Sequence, residues 1–503
     1  MDSRFATLWS RLRGRENWAA LGLSLALWLV YQSNARFIAG SDVYPARFIP
    51  VSLVTEGDYD LDEFTFIRDQ GKYGVPGGNL FSEPGAPYDN RVLSYSPTYV
   101  PTLIAPFYWI PFGLFHVSPR HFLVFYMDKA FAALFVALSA AWLFKALREV
   151  LTPVGWALSI TLAYGLGTSA WAISSQSLWQ HGPSQFFLAL SLWLWLRADR
   201  TGRGWIWLGW ATASAVASRP SDIFWAGLVG LDLLSRRRWK AVAGLMAGAF
   251  PPAIFLTTYN WVIFGNPLTS GYSFLPVNWS PDFLNWKNLP AGALGLFFSP
   301  SLGLLPNAPF YAFLPLSLWI GLRSPVARLS RRRTLLPLAF VLAHGTLYGC
   351  YLEWWAGWSF AYRYLTDSLP FLSFLLANLG RLRRFKVTVW ATFSLLALWG
   401  AAIQAHGAYV WMGHWFRPNW TDLKQPLRLQ LRDGPSGTIF DRPSAVWSLS
   451  RDKHLIGHEL QYFRWDPGLW FTTPTKVYRD LFLTRHIPYG YYPPIILPIG
   501  HSG

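Results

Sequence analysis

Four stretches of the chain hold residue types that could do chemistry. The first, Gly40-Ser41-Asp42-Val43-Tyr44-Pro45-Ala46-Arg47, follows directly on the first apolar run, so Asp42 sits where a lipid headgroup would lie. A helix cap or a loop acid facing water is an equal reading of that carboxylate. The second is Ser174-Ser175-Gln176-Ser177-Leu178-Trp179-Gln180-His181-Gly182-Pro183, short, polar and uncharged. Its His181 could bind phosphate, take a proton, ligate a metal or cap the next helix. The third and densest is Glu353-Trp354-Trp355-Ala356-Gly357-Trp358-Ser359-Phe360-Ala361-Tyr362-Arg363-Tyr364. A belt of interfacial rings accounts for several of these aromatics but not for Arg363. An arginine can hold a phosphate through two hydrogen bonds, and Trp354, Trp355 and Trp358 could stack on a sugar or on the guanidinium. The fourth, Asp58-Tyr59-Asp60-Leu61-Asp62-Glu63, reads as a solvated turn. Its oxygens suit Mg2+ or Ca2+, but the spacing is not that of an EF-hand. Asp128-Lys129 lies inside an apolar run, where an ionisable pair is functional by default. Adjacent residues on a helix do not face each other, so the pair receives no role.

These stretches must be held by membrane helices. Of 503 residues, 52% are hydrophobic and only 14% charged, against about 25% charged in a soluble protein. The 30 Trp, 37 Phe and 23 Tyr point the same way. Such a chain cannot cover its surface with charge, which excludes a cytosolic enzyme and a disordered protein. The single cysteine, Cys350, excludes a disulfide scaffold. The long, non-alternating apolar runs argue against an outer-membrane barrel. About 11 runs suit spans, at 17–34, 122–144, 154–173, 184–197, 204–218, 221–235, 240–262, 303–322, 334–351, 366–380 and 387–407. The first reads as a span rather than a cleaved signal, although Arg4, Arg11, Arg13 and Arg15 precede it. The formal charge of +17 reflects topology rather than nucleic acid. Basic residues cluster at 1–16, 145–148, 197–203, 236–240, 323–333 and 381–386, which makes that side cytoplasmic. The N-terminus is then inside, and the long loop 35–121 and the tail are external. Segment 98–116 is apolar but carries Pro101, Pro106 and Pro111, so an interfacial or re-entrant helix is expected there. The predicted division is a membrane domain, 1–407, and an external segment, 408–503.

The pattern resembles the GT-C superfamily of integral-membrane glycosyltransferases. More narrowly, it is similar to the protein O-mannosyltransferase and aminoarabinose-transferase branch. An acid follows the first span in a large external loop; a surface helix, a short second outer loop and a late aromatic-Arg loop complete the set. The resemblance implies an all-α polytopic bundle and an inverting transfer of sugar from a polyprenyl-phosphate donor to a glycan, lipid or protein acceptor, without nucleic acid. It implies Asp42 as catalytic base and Arg47, His181, Tyr362 and Arg363 around the donor phosphate. Trp354, Trp355 and Trp358 would line the sugar or lipid. The second outer loop lacks the acid that many members carry there, so a two-acid metal site does not transfer. No metal ligand is assigned, although a divalent ion remains open. Ala361-Tyr362 also replaces the Gly-Pro expected before the arginine. The site would face the exterior of a bacterial inner membrane. The competing classes are a transporter or flippase of a lipid-linked sugar and a non-catalytic cell-envelope assembly factor.

Overall fold

The computed structural model describes residues 3–34, 43–64, 80–81, 91–121, 123–274, 284–299, 302–323, 331–351, 354, 356, 359–382 and 386–409. The described residues are overwhelmingly helical, as the apolar runs require. In chain order the helices are α1 (Ser3–Gln32), α2 (Tyr44–Thr55), α3 (Tyr99–Tyr108), α4 (Leu123–Glu149), α5 (Val154–Gly167), α6 (His181–Thr201), α7 (Trp205–Ser218) and α8 (Ile223–Ser235). They continue with α9 (Trp239–Phe264), α10 (Leu289–Phe298), α11 (Leu304–Asn307), α12 (Leu314–Arg323), α13 (Arg331–Gly349), α14 (Leu369–Leu375) and α15 (Lys386–Tyr409). One two-residue antiparallel pair joins Leu80–Phe81 to Leu93–Ser94.

Three of these, α4, α9 and α15, are long and apolar enough to cross a membrane. The apolar surface they leave uncovered is large. On α9 the buried residues Ala241, Leu245, Gly248, Pro252 and Tyr259 form one stripe, while Met246, Phe250, Ile254, Trp261 and Val262 are exposed. On α1 the exposed stripe is Trp18, Leu21, Leu25 and Leu29. Contiguous apolar surface of this kind needs lipid or a partner to cover it.

Three predicted runs fold differently from a single straight helix. Run 303–322 is split into α11, a 3-10 turn at Pro309–Phe313 and α12, because Pro306, Pro309 and Pro315 interrupt it. Run 366–380 is a short α14 between 3-10 segments Arg363–Ser368 and Leu376–Arg381. Segment 98–116 is α3 followed by a π-helical stretch, Trp109–Leu114. At 1.5 Å per residue the ten residues of α3 extend about 15 Å, half the hydrocarbon thickness. Leu103, Phe107, Trp109 and Ile110 lie on its exposed side.

The basic segments meet at one end of the bundle. Asp199, near the end of α6, pairs with Arg236 at 2.9 Å, Arg238 at 3.3 Å, Arg333 at 3.4 Å and also with Arg332. Asp232 on α8 takes Arg332 at 2.5 Å. Two separate basic clusters of the sequence, 236–240 and 323–333, therefore share two acids. His181 begins α6 and Asp199 lies near its end, about 27 Å away along the axis. The end around His181 is where the candidate chemistry collects.

Candidate functional site

At that end the residues come from four elements. His181 is the first residue of α6; Arg219 and Asp222 flank the two-residue turn between α7 and α8; His344 lies on α13; Asp367 lies in the 3-10 turn before α14. All are buried. His181 Nδ1 lies 2.9 Å from Asp367 Oδ1, and Arg219 Nε 2.9 Å from Asp367 Oδ2. With Nδ1–H donating to the carboxylate, His181 Nε2 is left to accept from Arg219 Nη1 at 2.9 Å. Arg219 also donates to the Tyr348 hydroxyl at 3.0 Å and lies 5.2 Å above its ring centre. His344 faces Ser368 Oγ at 3.0 Å and Ser221 Oγ at 3.2 Å. Ser184 donates to Asp222 Oδ2 at 2.6 Å. A carboxylate bridged by an arginine and a histidine is a site where a buried negative charge is held and oriented.

Arg363 stands beside this cluster. Its guanidinium lies 4.9 Å from the Trp179 ring centre and donates to the Ala356 carbonyl at 2.7 Å. Ala356 (φ 63°) and Ala361 (φ 51°) both adopt the left-handed region that an alanine rarely enters. Tyr362 is buried and its hydroxyl accepts from the Ser169 N–H at 3.3 Å. Trp354 is buried, and a Cβ on Gly295 would lie 2.4 Å from its ring, so α10 needs a glycine there for the indole to lie flat. Tyr272 donates to Gln180 at 2.6 Å, which ties the region after α9 to the same loop.

A second polar cluster lies against the other side of loop 175–181. Arg47 and Asp128 are both fully buried and paired at 2.7 Å. Arg47 also reaches Ser177 Oγ at 3.0 Å and sits 4.2 Å above the Phe125 ring. Asp128 accepts the Leu178 N–H at 2.7 Å. The neighbouring Lys129 instead meets Asn34 and, at 3.4 Å, Gln176. The two adjacent charges thus turn to different partners, as helix geometry demands. Further out, the acidic turn closes on itself: Ser52 donates to Asp58 at 2.9 Å and the Val92 N–H to Asp62 at 2.5 Å. Partial burial, with the charges of Asp58 and Asp62, pushes the Asp60 carboxyl upward; Arg91 at 3.8 Å opposes this.

The structure therefore brings Arg47, His181 and Arg363 onto one loop, while Tyr362 is held by Ser169 and Trp354 packs on Gly295 of α10. Asp42, Trp355 and Trp358 lie outside the described residues, as does the tail beyond 409. Sequence reasoning missed Arg219, Asp222, His344 and Asp367. Each is an ionisable residue in or beside an apolar run, and the rule applied to Asp128 would have marked them. Among the described residues, Asp222, His344 and Asp367 each offer one ligand atom, all within 4.8 Å of one another. Compared with known protein families, with curated proteins and with solved structures, the chain matches none.

Proposed function

We propose that the protein is an inverting membrane glycosyltransferase of the GT-C type, with about 11 spans, a cytoplasmic N-terminus and an external site. Its donor is a polyprenyl-phosphate sugar and its acceptor a hydroxyl of a glycan, lipid or protein. The observation that carries this reading is the gathering of Arg219, His181 and Arg363 at the end of α6 remote from the basic network. A leaving phosphate gathers negative charge as its bond to the sugar breaks, and fixed cationic donors in a water-poor site stabilise that charge. Arg363, resting on Trp179, is the first donor to the phosphate, and Arg219 supports it.

In the proposed step the acceptor oxygen attacks the anomeric carbon from the face opposite the phosphate. The bond from that carbon to the phosphate oxygen breaks, and polyprenyl phosphate leaves with the electron pair. The acceptor proton passes to Asp42, which must lie within hydrogen-bond reach of it. Arg47, already engaged by Asp128, orients the segment that follows Asp42 rather than touching phosphate.

The test is release of free polyprenyl phosphate from a panel of labelled polyprenyl-phosphate sugars, with purified protein in detergent and acceptor extract present. Asp42→Asn is expected to abolish release and keep lipid binding. Lipid binding without release from any donor would favour a transporter or an assembly factor.

A further inference from the structure

We infer that Asp222, His344 and Asp367 form a binding site for one divalent cation of the Zn2+ or Mn2+ kind. The three residues come from the α7–α8 turn, α13 and the turn before α14, so three separate elements deliver their ligand atoms to one place. Asp222 Oδ2 is used by Ser184, but Asp222 Oδ1 is buried with no hydrogen-bond partner among the described residues. A buried carboxylate oxygen left without a partner carries the full cost of its lost hydration. A cation is the partner that removes this cost.

The surroundings suit an ion. His344 Nε2 lies 3.9 Å from Asp367 Oδ2, close to the spacing of two donors on one metal. Its other nitrogen is held by Ser368 Oγ at 3.0 Å, so Nε2, which faces Ser221 Oγ at 3.2 Å, would exchange that hydroxyl for the ion. Asp367 is oriented by His181 on one oxygen and Arg219 on the other. Asp222 is oriented by Ser184. Every proposed ligand therefore already has a second partner that aims it. Bonds of roughly 2.0–2.2 Å in tetrahedral geometry place donor atoms about 3.3–3.6 Å apart. The set lies within 4.8 Å in the structure, so its widest pair closes by roughly 1–1.5 Å on binding an ion. Mixed imidazole and carboxylate donors favour Zn2+ or Mn2+ over Ca2+ and Mg2+.

Charge balance points the same way. Two carboxylates against the Arg219 guanidinium leave one negative charge, with both histidines neutral. A divalent ion turns this into one positive charge, an environment that then attracts an anion. The competing occupant is a proton shared between Asp222 and Asp367.

This inference does not rest on the transferase reading, because its readout is metal content rather than sugar transfer. The full chain, purified in detergent and stripped with a chelator, is equilibrated with Zn2+ or Mn2+ and freed of unbound ion. Metal per polypeptide is then measured by mass spectrometry, and Mn2+ coordination by electron paramagnetic resonance. The expected result is close to one ion per chain. Asp222→Asn and His344→Gln should each weaken binding at least tenfold with an unchanged size-exclusion profile, while exposed His116→Ala retains the ion. Wild-type protein that holds well under one equivalent overturns the proposal and leaves the shared proton. So does a full equivalent that persists in both variants, which would place the ion elsewhere. The wild-type stoichiometry decides the matter even if a variant fails to fold.

Discussion

At the scale of single residues, the Arg47–Asp128 pair shows how a charge survives complete burial. Its two carboxylate oxygens accept from Arg47, Ser177 and the Leu178 N–H, so no charge is left alone. Removing one partner strands the other. Arg47→Met or Asp128→Leu alone is expected to cost about 3–5 kcal/mol. The double variant should cost clearly less than the sum of the two, read by thermal unfolding in detergent. The same scale explains what sequence could and could not tell. His181 and Arg363 stood out because each is the one basic residue of a polar or aromatic loop. Asp367 did not, because it opens an apolar run, and its partners are 186 residues away at His181 and, at Arg219, at the end of α7. Spacing in sequence carries no trace of such contacts.

At the scale of elements, helix positions were legible and helix breaks less so. Runs 122–144, 240–262 and 387–407 became α4, α9 and α15 with small changes of boundary. Prolines marked the broken run 303–322 only by implication, since Pro251 and Pro252 sit within a continuous α9. The α7–α9 contact was not visible in hydropathy at all, because it depends on glycines. A Cβ on Gly248 would lie 1.8 Å from the Ile206 carbonyl oxygen, and one on Gly209 1.9 Å from that of Leu245. Both obstacles are backbone, which cannot step aside as a side chain can. Gly248→Val should therefore destabilise by about 3 kcal/mol or more, measured as a fall in unfolding midpoint, whereas Gly227→Ala, with open space around it, should not.

At the scale of the whole molecule, the two ends of α6 divide the labour. One end gathers arginines from the α8–α9 turn and the start of α13 onto Asp199 and Asp232, and the other holds the histidine–arginine–aspartate cluster. Asp199→Ala is expected to leave Arg236, Arg238, Arg332 and Arg333 repelling one another. The resulting loss of stability should shrink as salt rises, because exposed charges are screened over about 8–10 Å; unfolding midpoints across a salt series read this. The Arg47–Asp128 pair also imposes an order on the making of the chain. Arg47 leaves the ribosome 81 residues before Asp128, an interval of roughly 4–16 s at ordinary rates of synthesis. During that time α2 has no counter-charge and no place to bury its arginine. The pair that buries Arg47 cannot form until α4 has been made, so α2 takes its final seat only after α4.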